Sequence, residues 1–119
     1  TQDFVLNIVP EQLLDKLWIC SRAFPRGVSE IKESGPTERK SALAKAPSIE
    51  ECIGWIECHL DFEKEAGDHI LVVGRVVSVE CKDEFLEQGQ FNIPEAKPVM
   101  HLGGKRFAVA ERVIQPKVE

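Results

Sequence analysis

The stretch from Gly54 to Glu80, GWIECHLDFEKEAGDHILVVGRVVSVE, limits the fold more than any other part of this 119-residue chain. In its first arm Gly54, Ile56, Cys58, Leu60 and Phe62 alternate with Trp55, Glu57, His59, Asp61 and Glu63, the period of two that marks a strand. In the second arm Leu71, Val73, Arg75, Val77, Val79 and Cys81 share a face, opposite Ile70, Val72, Gly74, Val76 and Ser78. With Ala66 and Gly67 at the centre of the turn, Phe62 falls opposite Leu71, Leu60 opposite Val73 and Ile56 opposite Val77. Both apolar faces then lie on one side of the ribbon, and a one-residue slip, which would oppose them, is disfavoured in a buried sheet. The same register sets Cys52 across from Cys81, where two free, half-buried thiols are expected.

Upstream, QDFVLNIVP alternates as a strand that is apolar on both faces, and the chain enters it almost at once, so a preceding part of the domain is expected. Pro10 suits the first position of a helix, and EQLLDKLWICSRAF continues it for about three turns with Leu13, Leu14, Leu17 and Trp18 at helical spacing. From Phe24 to Pro47 the pattern dissolves among prolines, glycines and charges, with at most a short helical turn at Ser29–Glu33. That excursion reads either as a solvated connection or as a cover for a site. KDEFLEQGQFNIPEAK is read as a polar connection, and PVMHLGG with KRFAVAERVI as two short strands about Gly103 and Gly104. About five strands and one or two helices make the fold class mainly β, part of an antiparallel barrel that is open at its front, in a single domain over 1–119.

Composition narrows the function classes. With 43% hydrophobic and 29% charged residues the chain is of globular type. A net charge of −5 argues against a nucleic-acid partner, which needs clustered Lys and Arg. No apolar run approaches the roughly 20 residues of a membrane span, and the four scattered cysteines fit reduced thiols, so a cytoplasmic location is expected. Glycine-rich nucleotide loops, the P-loop and the GxSxG elbow are missing from the sequence. No metal site is expected: Cys52 and Cys58 are six residues apart on one strand, on the order of 20 Å when extended. Cys20 lies late on the helix with no histidine nearby in sequence and reads as a small apolar residue rather than a nucleophile. His69 stands beside the Gly67-Asp68 corner, where a side chain can reach a cleft, although a single histidine at a turn is more often structural.

GDHILVVGRVVSVE, with GWIECHLDFEKEA before it, resembles the strand pair of the flavin reductase-like family of FMN-binding split barrels. DFVLNIVPEQLLDKL, FPRGVSEIKESGPT and PVMHLGGKRFAV are similar to the same family in the same order, so that the likeness covers nearly the whole chain. It implies an antiparallel split β-barrel, with this chain its C-terminal portion and the family's first strands missing. It also implies an oxidoreductase that passes electrons from NAD(P)H through bound FMN to free flavin, a ferric complex or a redox partner protein. Carried over by the resemblance, His69 is the catalytic candidate at the nicotinamide or flavin edge, and Asn7, Asp68 and His101 are cofactor-binding candidates. Arg26 is a candidate for a phosphate or carboxylate. The family further implies a homodimer, for which the sheet face bearing Trp55 is the expected surface. A non-catalytic FMN-binding or interaction module is the alternative.

Overall fold

The computed structural model describes residues 2–20 and 35–119. Its centre is an antiparallel sheet of β1 (Asp3–Ile8), β4 (Gly54–Ala66) and β5 (His69–Cys81), in the order β1-β4-β5. Before β4, β2 (Glu38–Arg39) and β3 (Ser48–Ile49) form a two-stranded pair. After β5 come two further hairpins, β6 (Leu86–Glu87) with β7 (Gln90–Phe91) and β8 (Val99–Gly103) with β9 (Arg106–Val109). A 3-10 turn at Glu11–Leu13 leads into helix α1 (Leu14–Cys20), and α2 (Ile93–Ala96) is a single turn.

The helix begins one residue later than its sequence suggests. Pro10 caps it in extended conformation, and the Glu11 amide, which as a first-turn donor has no acceptor within the helix, donates to the Lys97 carbonyl at 2.9 Å. With the Val99 amide on the Val9 carbonyl at 3.0 Å, that bond docks the β8–β9 hairpin beside the exit of β1. The helical turn expected at Ser29–Glu33, the whole FPRGVSE segment with Arg26, and the side chain of Cys20 lie outside the described residues.

The β4–β5 register differs from the sequence expectation. The turn is Gly67-Asp68, so Ala66 pairs with His69, Phe62 with Val73, Ile56 with Val79 and Gly54 with Cys81. Gly67 takes φ of +64° and Asp68 does not, the sign pattern of a type II′ hairpin turn, which calls for glycine first. Two bulges then interrupt the ladder. Val77 is an extra residue between the pairs Glu57↔Ser78 and Cys58↔Val76, and Asp61 is extra between Leu60↔Gly74 and Phe62↔Val73. Between the bulges Gly74 and Val76 therefore join the face of Cys58 and Leu60, the reverse of plain alternation. Cys52 precedes the strand and does not oppose Cys81; Cys58 and Cys81 are free thiols.

Opposed residues share a side of the sheet, and this gives the sheet two unlike faces. Asp3, Val5 and Asn7 align with His59, Glu57 and Trp55 of β4, and these in turn with Arg75, Ser78 and Glu80 of β5. This polar face is the covered one. Residues 35–53 lie over it, and Leu13, Cys52 and Trp55 make a small core with Val5, Val9 and Ile49 packed against them. The opposite face carries Phe4, Leu6, Ile56, Cys58, Leu60, Gly74, Val76 and Val79 and is open, with Val79 65% exposed. A Cβ at Gly74 would come within 2.4 Å of the Phe4 ring, so the ring lies against bare backbone there. Trp55 is only 4% exposed: its indole N–H donates to the Ile49 carbonyl at 2.8 Å, and the Arg39 guanidinium sits 3.9 Å above its ring. The proposed dimer surface at Trp55 is therefore occupied by the chain's own residues.

The polar connection after Cys81 is also more ordered than expected. A 3-10 turn at Asp83–Phe85, the tight β6–β7 hairpin with positive φ at Gln88 and Gly89, and α2 fill it. The Asn92 side chain caps α2 by accepting from the Glu95 amide at 3.3 Å. Among the described residues nine short and long strands stand where about five were expected, because the added ones are two residues long and leave no periodic trace.

Candidate functional site

The corner anticipated from the sequence is at the tip of the β4–β5 ribbon. His69 Nδ1 and Asp68 Oδ1 are 2.5 Å apart, and the side chains are 82% and 92% exposed. The carboxylate thus orients the imidazole and leaves its Nε2 edge accessible. Because β1 ends its pairing at Asp3↔His59, the ribbon from Leu60 to the tip has no third strand beside it among the described residues.

Asn7 and His101 are elsewhere. Asn7 Oδ1 accepts the Ile49 amide at 2.9 Å and its Nδ2 reaches back to the Val5 carbonyl, so its amide ties β3 to the covered face of the sheet. Asn7 is level with Glu80, and the strand from there to His69 spans roughly 36 Å at about 3.3 Å per residue step. His101 faces Phe107 across the β8–β9 hairpin, stacked at 4.6 Å, and its Nε2 lies 2.9 Å from the Gly104 carbonyl. Trp18 meets the same Phe107 edge-on at 6.3 Å, with the Lys105 ammonium 5.8 Å from the indole. Asp68 and His69 are brought together, whereas Asn7 does not join them and His101 is bonded within its own hairpin. The four candidates thus fall at the ribbon tip (Asp68 and His69), on the covered face of the sheet (Asn7) and in the β8–β9 hairpin (His101).

The best-built polar cluster is one the sequence reading did not single out. Glu57 is 0% exposed, and its carboxylate accepts the amides of Ala42 (2.8 Å), Leu43 (2.7 Å) and Ala44 (2.8 Å). Burial pushes the Glu57 carboxyl up, but the amides of Ala44, Leu43 and Ala42, with the charge of Arg39, outweigh it and hold it below the usual carboxylate range. Asp3 takes the next amide, that of Lys45, at 3.0 Å through Oδ2, while its Oδ1 is 2.7 Å from His59 Nδ1. The Lys45 amide, then His59, hold the Asp3 carboxyl below its ordinary value. Ser41 closes the loop, its Oγ donating to the Ala46 carbonyl at 2.6 Å and lying 2.8 Å from Ser48 Oγ. In the sequence Glu57 is one of several polar residues alternating with Ile56, Cys58 and Leu60, and its partners are main-chain groups that carry no residue signature.

On the open face a groove of about 630 Å³ is lined by Phe4, Leu6, Cys58, Leu60, Gly74 and Val76, among others. Apolar walls of this kind suit a flat ring or another polypeptide segment. The described residues contain no cluster of three His, Cys, Asp or Glu side chains able to hold a metal ion, and no helix long and apolar enough to cross a membrane.

Comparison with known proteins gives this geometry a family. An uncharacterized protein of Methanothermobacter thermautotrophicus is 33% identical over 112 residues, covering 89% of this chain and 53% of that protein. A flavin reductase of Pseudomonas putida is 35% identical over 81 residues, covering 68% of this chain and 44% of that protein. Among solved structures, a Shewanella frigidimarina protein with a split barrel domain superposes with a TM-score of 0.87 at 16% identity, covering 100% of this chain and 62% of that one. The chain thus spans about half the length of the curated relatives it matches, and its unclosed sheets are an open portion of the split-barrel fold. The family model of the flavin reductase like domain matches residues 1–109, and the chain belongs to that family.

Proposed function

We propose that this chain, as a single domain over residues 1–119, is a portion of an FMN-binding oxidoreductase that takes electrons from NAD(P)H and passes them to free flavin, a ferric complex or a redox partner protein. The observation that carries the reading is the corner at Gly67-Asp68-His69, within a family match that runs from residue 1 to 109. There an imidazole is fixed at Nδ1 by a neighbouring carboxylate and accessible at its other edge, a suitable way to hold the edge of a planar ring or the amide of a nicotinamide. When bound, the flavin supplies hydride acceptance and onward electron delivery. This chain's part is to offer His69 and Asp68 at one pole and an apolar wall at Phe4, Leu6, Gly74 and Val76. Asn7 and His101 contribute through the loop and hairpin that they fix. A homodimer completes the proposal, and the open apolar face is the surface left to a second chain. The free thiols of Cys58 and Cys81 support a cytoplasmic location, and the acidic net charge argues against a nucleic-acid partner.

The test is a titration of the chain with FMN, followed by absorbance and flavin fluorescence, then by addition of NADH or NADPH. Saturable binding, bleaching by the nicotinamide and slower bleaching in His69→Ala are the expected results. Bleaching unchanged by the substitution would remove His69 from the site. The open apolar face favours a second reading, a non-catalytic FMN-binding or interaction module. FMN binding without nicotinamide oxidation, or no FMN binding, would select it.

A further inference from the structure

We infer that residues 42–45 form an anion-binding nest whose resident ligands are the chain's own Glu57 and Asp3 carboxylates, and that a small free carboxylate is the ligand class the nest takes once Glu57 is truncated. Four consecutive main-chain amides, those of Ala42, Leu43, Ala44 and Lys45, point to two carboxylates at 2.7–3.0 Å. Successive N–H groups directed into one concavity are the general architecture of a main-chain anion site. The Glu57 carboxylate is buried to 0% exposure, yet no Lys or Arg forms an ion pair with it among the described residues. Its charge is therefore met first by main-chain dipoles, as that of a bound anion would be, with the Arg39 charge adding a smaller share beyond ion-pair distance. Both oxygens are used, Oε1 by Leu43 and Ala44 and Oε2 by Ala42, so a neutral amide cannot replace it donor for donor. The Ser41 bonds to Ala46 and Ser48 hold the two ends of the loop together around the anion.

Glu57→Ala removes a methylene and a carboxylate, the heavy atoms of acetate. Acetate is the probe, acetamide its neutral counterpart and chloride the ionic-strength control. Trypsin reads the loop, because Arg39, Lys40 and Lys45 flank or lie within it. In Glu57→Ala, nicking at Lys40 and Lys45 should be about tenfold faster than in the unmodified chain, since three charge-assisted bonds are lost. Acetate should restore protection in a saturable manner, and acetamide and chloride should not. Equal protection by acetamide would mean that the site needs only filling, and a loop that resists trypsin without Glu57 would mean that the carboxylate does not shape it. Either result overturns the inference. Should Glu57→Ala not fold, amide exchange in the unmodified chain decides instead. The amides of residues 42–44 should exchange at least about tenfold more slowly than those of Gly104 and Lys105 in the β8–β9 turn, and equal rates would overturn the inference.

Discussion

Replacing Glu57 by glutamine changes almost no volume and removes only the charge and one acceptor, which isolates the role of that carboxylate. With Oε1 kept toward Leu43 and Ala44, two bonds weaken from about 1.5–3 kcal/mol each to about 1 kcal/mol. The new amide N–H₂ then faces the Ala42 N–H, and a donor left without an acceptor costs about 1–3 kcal/mol. Relief of the buried charge offsets part of this, about 1–2 kcal/mol. A net loss of about 2–3 kcal/mol remains, which for a domain of this size lowers Tm by about 8–12 °C. Differential scanning calorimetry at pH 7 measures it. The pH dependence adds a sign. The Glu57 carboxyl is held below its ordinary value when folded, so its contribution is complete above the unfolded pKa of about 4.3 and is lost as pH falls through the lower folded value. The gap between the two proteins should therefore be widest at neutral pH and narrow below about pH 4. A Tm within about 2 °C of the unmodified chain at pH 7, or a gap that persists on acidification, would refute the reasoning.

Asp3→Asn should loosen the same loop from the β1 side, seen as faster exchange of the Lys45 amide at neutral pH; in the unmodified chain that protection should fall only as acid protonates Asp3 below the ordinary carboxylate range. Gly67→Ala meets no atom within 4 Å, so its cost is the left-handed backbone alone, about 1 kcal/mol or some 4 °C in Tm, and Gly67→Asn should recover part of it. Burial, then Asp83, pushes the Cys81 thiol up, and Cys52 and Cys58 are buried. Peptide-resolved alkylation at pH 8 should therefore leave all three largely unmodified until the chain is denatured, and fast labelling of Cys81 in the native state would contradict that environment.

The elements with a strong period were legible in the sequence. β1, the first turns of α1 and both arms of the β4–β5 ribbon follow from alternation or helical spacing, and PVMHLGGKRFAV was legible as a hairpin. The register was not, because Asp61 and Val77 are bulged residues inside runs that alternate before and after them, and nothing in the residue types marks the skip. Gln88-Gly89 between Leu86 and Phe91 did carry a turn signal, hidden by the shortness of its strands. At the candidate site, the Gly67-Asp68-His69 corner was legible because it is local. Asn7 was legible as a polar residue in an apolar strand but not as the anchor of Ile49, a partner 42 residues away. The burial of Trp55 was missed for the same reason, since the chain that covers it is an irregular loop with no hydrophobic pattern of its own.

The pairing of β1 with β4 has a consequence in time. Asp3 and His59 are separated by 56 positions, whereas β4 and β5 are joined by two residues. Closing the longer loop costs more entropy, so the ribbon should form first, the amides of 42–44 should gather on Glu57 next, and β1 should arrive last, bringing Asp3 to the Lys45 amide. During synthesis the order of appearance is the reverse. At 5–20 residues per second, β1 leaves the ribosome about 3–10 s before β4 is complete, with Phe4, Val5, Leu6 and Ile8 lacking their β4 partners for that interval. Of the three strands of this sheet the one made first is the one that must wait, and a chaperone that binds short apolar segments would find a target there.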